Sequence, residues 1–513
     1  MKDNIRINVI VNLIRTVVLT LLSFITFPWI CRYLGDSYLG AYSWATTFIA
    51  YFIILSKIGI PNLALRECIK VRDDKEKLSN KAQMFFILQM ITTLISFGLL
   101  AIVVFSIPSI RDMSFFNPNL PDTKILIFIL SINVLSTAFS FEWIFVALEK
   151  QFYMSIRSIV VLAISSIMII ALVTTPDDIY LYAFLTVMVT FATMVINLFY
   201  VRKHISFKKT LPYNFKVLIK PLLVLGSVSM LLSLYNQTDT FVLGFIDEGK
   251  TQVGSYSVGI KGIDIVIAVL SNLSSVFVPR ATYYYEKEDK RFFNNLTRYS
   301  FNICLFIVLP AIAMMSTLAN PICSLISGSN DLSGAGEFTN SHLVLVIVSS
   351  MMLTYTLSEM IYGQILIPMK KEKLYLYSVL FGVILNVSLS VVLGLFVFKS
   401  NPAIGVAIGT LITDILIFLY LIISTKKWTF KALFNKNTGK LIISTIAIFA
   451  ICLCLNKPIL NLFLRLTNNN YSVSMLLELL SLFIVCLITY VGSLLLMKED
   501  LVYSFIKKTP KEV

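Results

Sequence analysis

Long apolar stretches recur along the whole chain and are separated by short polar segments. A helix that crosses the hydrocarbon core of a bilayer needs roughly 20 mainly apolar residues. The seventh stretch of that kind is the least regular, because the polar run YNQTDT at 235–240 interrupts it. The pattern predicts an all-α integral membrane protein with about 14 transmembrane helices, at approximately 7–30, 40–62, 83–107, 123–148, 154–175, 178–200, 216–244, 252–279, 299–320, 342–368, 374–398, 403–424, 440–461 and 472–497.

The composition supports a lipid environment. Hydrophobic residues make up 57% of the 513 positions, and charged residues only 14%. A soluble domain carries roughly 25% charged residues, because it must cover a surface that faces water. This chain has too few charges for such a surface, so the bilayer is the expected solvent for most of its side chains.

The distribution of Lys and Arg predicts the topology. With the N-terminus inside, the inside segments hold 33 of these residues, and the outside loops hold only six. Basic residues favour the cytoplasmic side of a membrane protein. Both termini are therefore predicted to be cytoplasmic, and the net charge of +15 is interpreted as a topology signal with no nucleic-acid partner. Four further basic residues are counted within predicted spans, namely Arg15, Lys57, Lys124 and Lys261, whereas Lys150 and Arg157 are counted with an inside connection at 149–157.

Several classes of function leave no signature in the sequence. No GxxxxGK[ST] phosphate-binding loop occurs, and no loop is long enough to form a separate soluble domain. The seven cysteines lack the paired CxxC spacing of metal sites, and the two histidines, His204 and His342, lie near predicted span ends. The sequence predicts no cofactor, no metal and no catalytic residues, which favours a secondary transporter over an enzyme.

Two sequence echoes indicate an internal repeat. GAYSWA at 40–45 opens the second predicted span, and GSYSVG at 254–259 opens the eighth. ALEKQFYMS at 147–155 and IPMKKEKLYLYS at 367–378 leave the fourth and tenth spans in a similar way. Parallel repeats are a known plan of transporters. The echoes predict two six-helix bundles related by a parallel pseudo-two-fold repeat and followed by two extra helices, with divisions at 1–200, 201–424 and 425–513.

Four further motifs stand out along the chain: RYLGDSYLGAYSWATTFIAYFIILSKIGIPNLALRE (32–67), FEWIFVALEKQF (141–152), YNQTDTFVLG (235–244) and SEMIYGQILIPMKKEK (358–373). They resemble motifs of the Wzx-type polysaccharide flippases, within the multidrug/oligosaccharidyl-lipid/polysaccharide exporter superfamily. The chain departs from that pattern at Val146 and Ala147, where many relatives have a Gln-Gly pair.

The resemblance implies a function in O-antigen, capsule or teichoic acid biosynthesis. A flippase of this kind moves an oligosaccharide linked to undecaprenyl pyrophosphate from the inner to the outer leaflet of the bacterial cytoplasmic membrane. Alternating access of a central cavity, antiport coupled to H+ or Na+, and partnership with the polymerase and chain-length proteins of the same pathway are expected with it.

Basic residues within the spans are the predicted substrate-binding groups. A charged side chain in the hydrocarbon costs at least about 2.5 kcal/mol, so it usually faces a cavity, a partner or the interface. A pyrophosphate cargo is anionic and needs a cationic cavity, for which Arg15, Lys57 and Lys261 are the candidates. The alternatives are a structural ion pair for Arg15, snorkelling to the surface for Lys57 and a local pair with Asp264 for Lys261.

Acidic residues within the spans are the predicted coupling or gating groups. Asp239 lies in a polar cluster that could bind a cation or join two helices by hydrogen bonds. Glu142 and Glu359 occupy comparable places in the two proposed repeats, and Asp264 completes the set. Asp414 and Glu478 are interpreted as helix-contact residues.

Competing functions remain open at this point. A multidrug cation exporter of the same superfamily would favour an acidic cavity, and a peptidoglycan lipid-precursor flippase would share the anionic cargo. A membrane enzyme would need a sizeable outer loop or a catalytic His and Arg set. A structural partner in a biosynthetic complex is not distinguished by sequence.

Overall fold

The computed structural model describes residues 5–106, 121–208, 212–328, 338–468 and 470–507. Within these ranges the chain is helical and contains no strand. They include 11 helices that are long and apolar enough to cross a membrane. The prediction of an all-α membrane protein is confirmed, whereas the number of 14 spans and the repeat arrangement stay predictions.

The chain forms two compact units, Met1–Gly254 and Ser255–Val513. The predicted division into two bundles and two extra helices, with boundaries after residues 200 and 424, stays a prediction. The described helices of unit 1 are α1 (Ile5–Lys57), α2 (Ile60–Ile69), α3 (Lys75–Ser106), α4 (Thr123–Ser136), α5 (Glu142–Ala147), α6 (Gln151–Leu172), α7 (Ile179–Val201) and α8 (Lys216–Ile246), and α9 (Thr251–Lys261) begins at its end.

Helix α1 contains the first predicted span and most of the second, to Lys57. The two are separated at Gly35, whose φ of 71° and ψ of −178° are not helical. Glycine adopts a positive φ without the steric cost of a Cβ atom. The change of direction between these spans therefore needs no loop.

The polar run at 235–240 does not break helix α8, which continues through it to Ile246. Thr238 explains part of this tolerance, because its Oγ1 donates a hydrogen bond of 2.9 Å to the carbonyl oxygen of Leu234 in the same helix. A hydroxyl group that donates its hydrogen bond to a carbonyl of its own helix can stay in an apolar environment.

The fourth predicted span is not one helix. Helix α4 ends at Ser136, a 3-10 turn covers Thr137–Phe139, and the six-residue helix α5 follows. Phe141 joins them with a φ of 47° although it is not a glycine and is only 2% exposed. Irregular backbone at membrane depth is tolerated where it is buried in protein or lines a cavity.

The start of helix α6 corrects one sequence assignment. Arg157 was placed in a predicted inside connection at 149–157, but α6 already begins at Gln151. Arg157 is therefore the seventh residue of a spanning helix and is 5% exposed. The Glu149-Lys150 pair precedes the helix, and the connection does not extend to Arg157.

Lys250 lies buried in the connection between α8 and α9, with 3% exposure. Its Nζ atom donates to the carbonyl oxygen of Asp247 at 2.6 Å and to that of Gly244, and it lies 5.8 Å from the ring centroid of Trp44. Burial lowers the pKa of Lys250 to about 8. This lysine therefore fastens the connection to the end of α8 and to α1.

The described helices of unit 2 continue after α9 with α10 (Asp264–Glu286), α11 (Lys290–Thr317), α12 (Ala319–Ser327), α13 (Ser341–Ile361), α14 (Glu372–Val392), α15 (Pro402–Ser424), α16 (Lys426–Leu433), α17 (Lys436–Leu466), α18 (Tyr471–Leu496) and α19 (Asp500–Lys507). The predicted outside loop at 321–341 includes most of α12, and its residues 329–337 lie outside the described part. The predicted inside connection at 425–439 contains the whole of α16.

Candidate functional site

A cavity of about 450 Å³ opens in unit 1 among helices α1, α4, α5, α6 and α7. Hydroxyl, amide and charged side chains line much of it, although the surrounding helices are strongly apolar. The polar lining consists of Lys57, Asn133, Ser136, Thr137, Ser140, Glu142, Arg157, Ser158, Thr190 and Thr193. A polar cavity at membrane depth can hold a polar or charged group away from lipid.

Arg157 is the most deeply buried charge of this cavity, since its side chain is 3% exposed. Its Nη2 atom lies 2.8 Å from Oε1 of Glu142 and 3.3 Å from Oγ of Ser158. Its Nη1 atom donates to Oδ1 of Asn197, and its Cζ atom lies 5.8 Å from the ring centroid of Tyr153. Its buried Nε atom has no hydrogen-bond partner among the described residues.

Asn197 of α7 connects Arg157 to the break in the fourth span. Its side chain is fully buried, and its Nδ2 atom donates a hydrogen bond of 2.5 Å to the carbonyl oxygen of Ser140. Its Oδ1 atom also accepts from the hydroxyl of Tyr153 at 3.1 Å. The helix break at 137–141 frees backbone carbonyls, and Asn197 satisfies one of them while it orients the guanidinium.

One of the predicted substrate-binding residues lines this cavity, and a second interacts with two of its charged side chains. Arg15 interacts electrostatically with both Glu142 and Arg157, and its buried Nε atom has no hydrogen-bond partner among the described residues. Lys57, the last residue of α1, is exposed and lines the cavity. Arg15, Lys57 and Arg157 are three cationic side chains in or next to the lining, against the carboxylate of Glu142 among the described residues, which is a formal surplus of two positive charges.

Lys261 and Asp264, both in unit 2, form the local ion pair that was one of the two alternatives for Lys261. The Nζ atom of Lys261 lies 3.1 Å from Oδ2 of Asp264. Both side chains are partly exposed, at 24% and 43%. A salt bridge between partly exposed groups contributes little to stability, and a role for this pair in cargo binding or gating stays a prediction.

The remaining predicted coupling residues lie in different surroundings. Glu359 of α13 accepts a hydrogen bond of 3.1 Å from Ser271 Oγ, and Tyr355 interacts electrostatically with both Glu359 and Asp414. In unit 1, Asp239 interacts electrostatically with Tyr51. Glu142 begins a short helix and pairs with an arginine, whereas Glu359 precedes the π-helical turn Tyr362–Leu366 and accepts from a serine. Their functions as coupling residues stay predictions.

Arg157 and Asn197 are the site residues that the sequence interpretation missed. The signal for Arg157 was an arginine inside the fifth predicted span, at 154–175, which was instead counted with the connection before it. Asn197 showed only as a single amide near the end of an apolar run, and nothing in the sequence pairs it with Arg157. The described residues contain no group of three or more His, Cys, Asp or Glu that could hold a metal ion.

Comparison with known families gives two matches. Residues 5–284 match the family model described as polysaccharide biosynthesis protein, and residues 225–392 match the MatE family model. The comparison with curated protein sequences gives no match.

Solved structures of membrane transporters share the fold. The lipid II flippase MurJ in an inward closed conformation has a TM-score of 0.69 at 17% identity, over 94% of this chain and 99% of that one. An inward-facing multidrug resistance MATE family transporter of the MOP superfamily has a TM-score of 0.59 at 16% identity, over 82% of this chain and 99% of that one. A MOP superfamily transporter from Pyrococcus furiosus, for which the reverse polarity of the binding pocket suggests a different function, has a TM-score of 0.51 at 15% identity, over 82% and 95% of the two chains.

Proposed function

We propose that this chain, which belongs to the polysaccharide biosynthesis protein family, is a flippase for an oligosaccharide linked to polyprenyl pyrophosphate. The observation that carries the proposal is the cationic cavity of unit 1, where Arg157 is buried beside Arg15 and Lys57. Guanidinium groups bind phosphate oxygens strongly and with defined geometry. A surplus of two positive charges suits a pyrophosphate diester, which carries two negative charges.

The direction and location of transport follow from the topology in this proposal. The chain is a multi-pass membrane protein. The excess of Lys and Arg in the inside segments supports cytoplasmic termini and residence in the bacterial cytoplasmic membrane. The cargo moves from the inner to the outer leaflet by alternating access coupled to an H+ or Na+ gradient, and the polymerase and chain-length proteins of the pathway receive it.

Two other cargoes define the competing functions. An organic cation would meet a cavity with three positive groups and one carboxylate, so the charge of the site disfavours a multidrug cation exporter. A peptidoglycan lipid precursor carries the same anionic pyrophosphate, and the charge of the cavity fits it equally well. The sugar portion therefore has to distinguish these two flippase functions.

The test is transbilayer movement in proteoliposomes of a fluorescent oligosaccharide on polyprenyl pyrophosphate, compared with lipid II and with a cationic dye. Wild type is expected to move the oligosaccharide lipid, and Arg157→Gln to slow it at least about tenfold, since a charge-assisted contact to phosphate is lost. Arg202→Gln is the matched control, because Arg202 is an exposed arginine at the end of α7.

Three outcomes would count against the proposal. Movement of lipid II alone would assign the chain to peptidoglycan precursors. Movement of the cationic dye alone would assign it to drug export. Equal rates of lipid movement for wild type and Arg157→Gln would show that transport does not depend on Arg157 in this cavity.

A further inference from the structure

Glu142 covers Arg157 on the cavity side. The Glu142 side chain is 50% exposed, whereas the Arg157 side chain beneath it is 3% exposed. Their contact is a hydrogen-bonded ion pair of 2.8 Å between Nη2 and Oε1. An anion in the cavity can therefore reach this edge of the guanidinium only when the carboxylate of Glu142 leaves it.

The two main partners of Arg157 are held in different ways. Asn197 is fully buried and is fixed by three hydrogen bonds, to Arg157, Tyr153 and the Ser140 carbonyl. Glu142 is the first residue of a helix of only six residues. Asn197 is thus a partner of Arg157 that other hydrogen bonds hold in place, whereas Glu142 is a partner carried by a short separate segment.

The backbone around Glu142 interrupts the spanning helix on both sides. Phe141 before α5 has a φ of 47°, and Glu149 after it has a φ of 57°. Non-glycine residues seldom adopt positive φ, and such positions concentrate at functional and switching segments. A displacement of Glu142 therefore needs at most a change in this short segment, and none in the long helices α4 and α6.

A carboxylate and a phosphate compete for one guanidinium edge. Both are anionic acceptors of the same N–H donors, and two anions at that edge repel each other. Arg15 and Lys57 are the other cations that can receive the displaced carboxylate within the same cavity.

We propose that Glu142 is a resident anion that occupies Arg157 between transport cycles, yields it to the phosphate of the cargo and re-forms the pair as the cargo leaves. This inference rests on the proposed function. In this scheme Glu142 promotes cargo release. Its carboxylate lowers the affinity of the cavity for the cargo and takes the place of the cargo at Arg157 when the cargo leaves.

The experiment measures binding and movement separately in the full-length protein. Binding of farnesyl diphosphate to the detergent-solubilised protein is compared with that of farnesol, which has the same tail without the charge. Glu142→Gln is expected to bind the diphosphate about tenfold more tightly than wild type, because a competing negative charge is removed. The same variant is expected to move the oligosaccharide lipid several-fold more slowly, because release becomes limiting.

Two further variants make the comparison specific. Glu76→Gln is the matched control, since Glu76 is an exposed glutamate in the first turn of α3, outside the cavity lining, and its substitution is expected to leave both readouts unchanged. Glu142→Ala serves the same comparison as Glu142→Gln if the amide variant does not fold.

Unchanged or weaker diphosphate binding in Glu142→Gln and Glu142→Ala would overturn the inference while the proposed function stands, provided that wild type still moves the oligosaccharide lipid. Failure of wild type both to bind farnesyl diphosphate in preference to farnesol and to move the lipid would overturn the two together.

Discussion

Gly40 and Gly254 face each other in unit 1, each against a backbone carbonyl from the other's segment. A Cβ atom on Gly40 would lie 1.8 Å from the carbonyl oxygen of Lys250, and one on Gly254 would lie 2.2 Å from that of Asp36. Each carbonyl belongs to the residue four positions before the opposite glycine. The two glycines open the echoes GAYSWA and GSYSVG, so the sequence similarity coincides with a reciprocal contact.

We expect Gly40→Ala and Gly254→Ala to destabilise the protein by about 1–3 kcal/mol, because the added methyl group has to push rigid backbone apart. The measurement is thermal unfolding of the purified variants in detergent. Gly98→Ala is the control, since a Cβ atom at Gly98 meets nothing within 4 Å. If Gly40→Ala and Gly254→Ala were as stable as wild type, the two backbone segments would have to lie farther apart than described.

The buried Lys250 makes stability depend on pH above neutrality. Its pKa is about 8 in the folded protein, because burial disfavours the charged amine, and about 10.4 in an unfolded chain. Between these values the unfolded chain binds more protons, so stability rises with pH by up to about 3 kcal/mol. Below pH 8 Lys250 is protonated in both states, so the full cost of burying its charged amine lowers the stability of the folded protein.

The check compares wild type with Lys250→Met in thermal unfolding from pH 7 to pH 10. The variant lacks the titrating amine, so the stability of wild type relative to Lys250→Met should increase across this range. A constant difference between the two proteins would argue that the amine is not buried as described.

Replacement of Asn197 should damage folding and transport together. Asn197→Ala leaves the Ser140 carbonyl and one edge of Arg157 without a partner, which costs about 2–3 kcal/mol because one of these groups is charged. Thermal unfolding and flipping rates report the two effects. Asn133→Ala, at a more exposed amide that lines the same cavity and accepts from Thr190, is expected to have a smaller effect on both. Equal effects of the two variants would contradict the anchoring role of Asn197.

Cys452 of α17 and Cys486 of α18 are placed for oxidation to a disulfide. Their Sγ atoms lie 3.2 Å apart and both side chains are buried. A disulfide needs about 2.05 Å, so a shift of roughly 1 Å closes the bond. A membrane-permeant oxidant should remove two of the seven thiols of wild type and two of the six thiols of Cys454→Ser, but none of the six thiols of Cys486→Ser. Thiol titration after denaturation measures this, and seven intact thiols in oxidised wild type would refute the contact.

The helical membrane fold was predictable because bilayer thickness sets the length of apolar stretches. The same rule misjudged local geometry, since apolar length says little about breaks within a span. The interruption around Phe141 carries no glycine or proline, and it depends on the packing of α5 on α2 and on the hydrogen bond between Asn197 and the Ser140 carbonyl. Interactions of that kind join residues more than 50 positions apart and leave no local pattern.

The candidate site was only partly predictable for a related reason. Arg15, Lys57 and Glu142 stood out as charges within apolar runs, and the structure places Lys57 and Glu142 in the lining of one cavity and Arg15 in electrostatic contact with Glu142. Their partner Arg157 was missed because a basic residue close to a span end is usually cytoplasmic. Its burial becomes visible only when α6 is seen to begin at Gln151.

The unequal number of positive and negative side chains at the unit 1 cavity has an electrical consequence. An inside-negative membrane potential of 100 mV acts on each unit charge with about 2.3 kcal/mol. A pyrophosphate dianion cancels the surplus of two charges, so a loaded cavity presents no net charge to that field, whereas an empty cavity does. Under the proposed function, the membrane potential therefore affects the return of the empty carrier, whereas it has almost no effect on the outward movement of the loaded carrier.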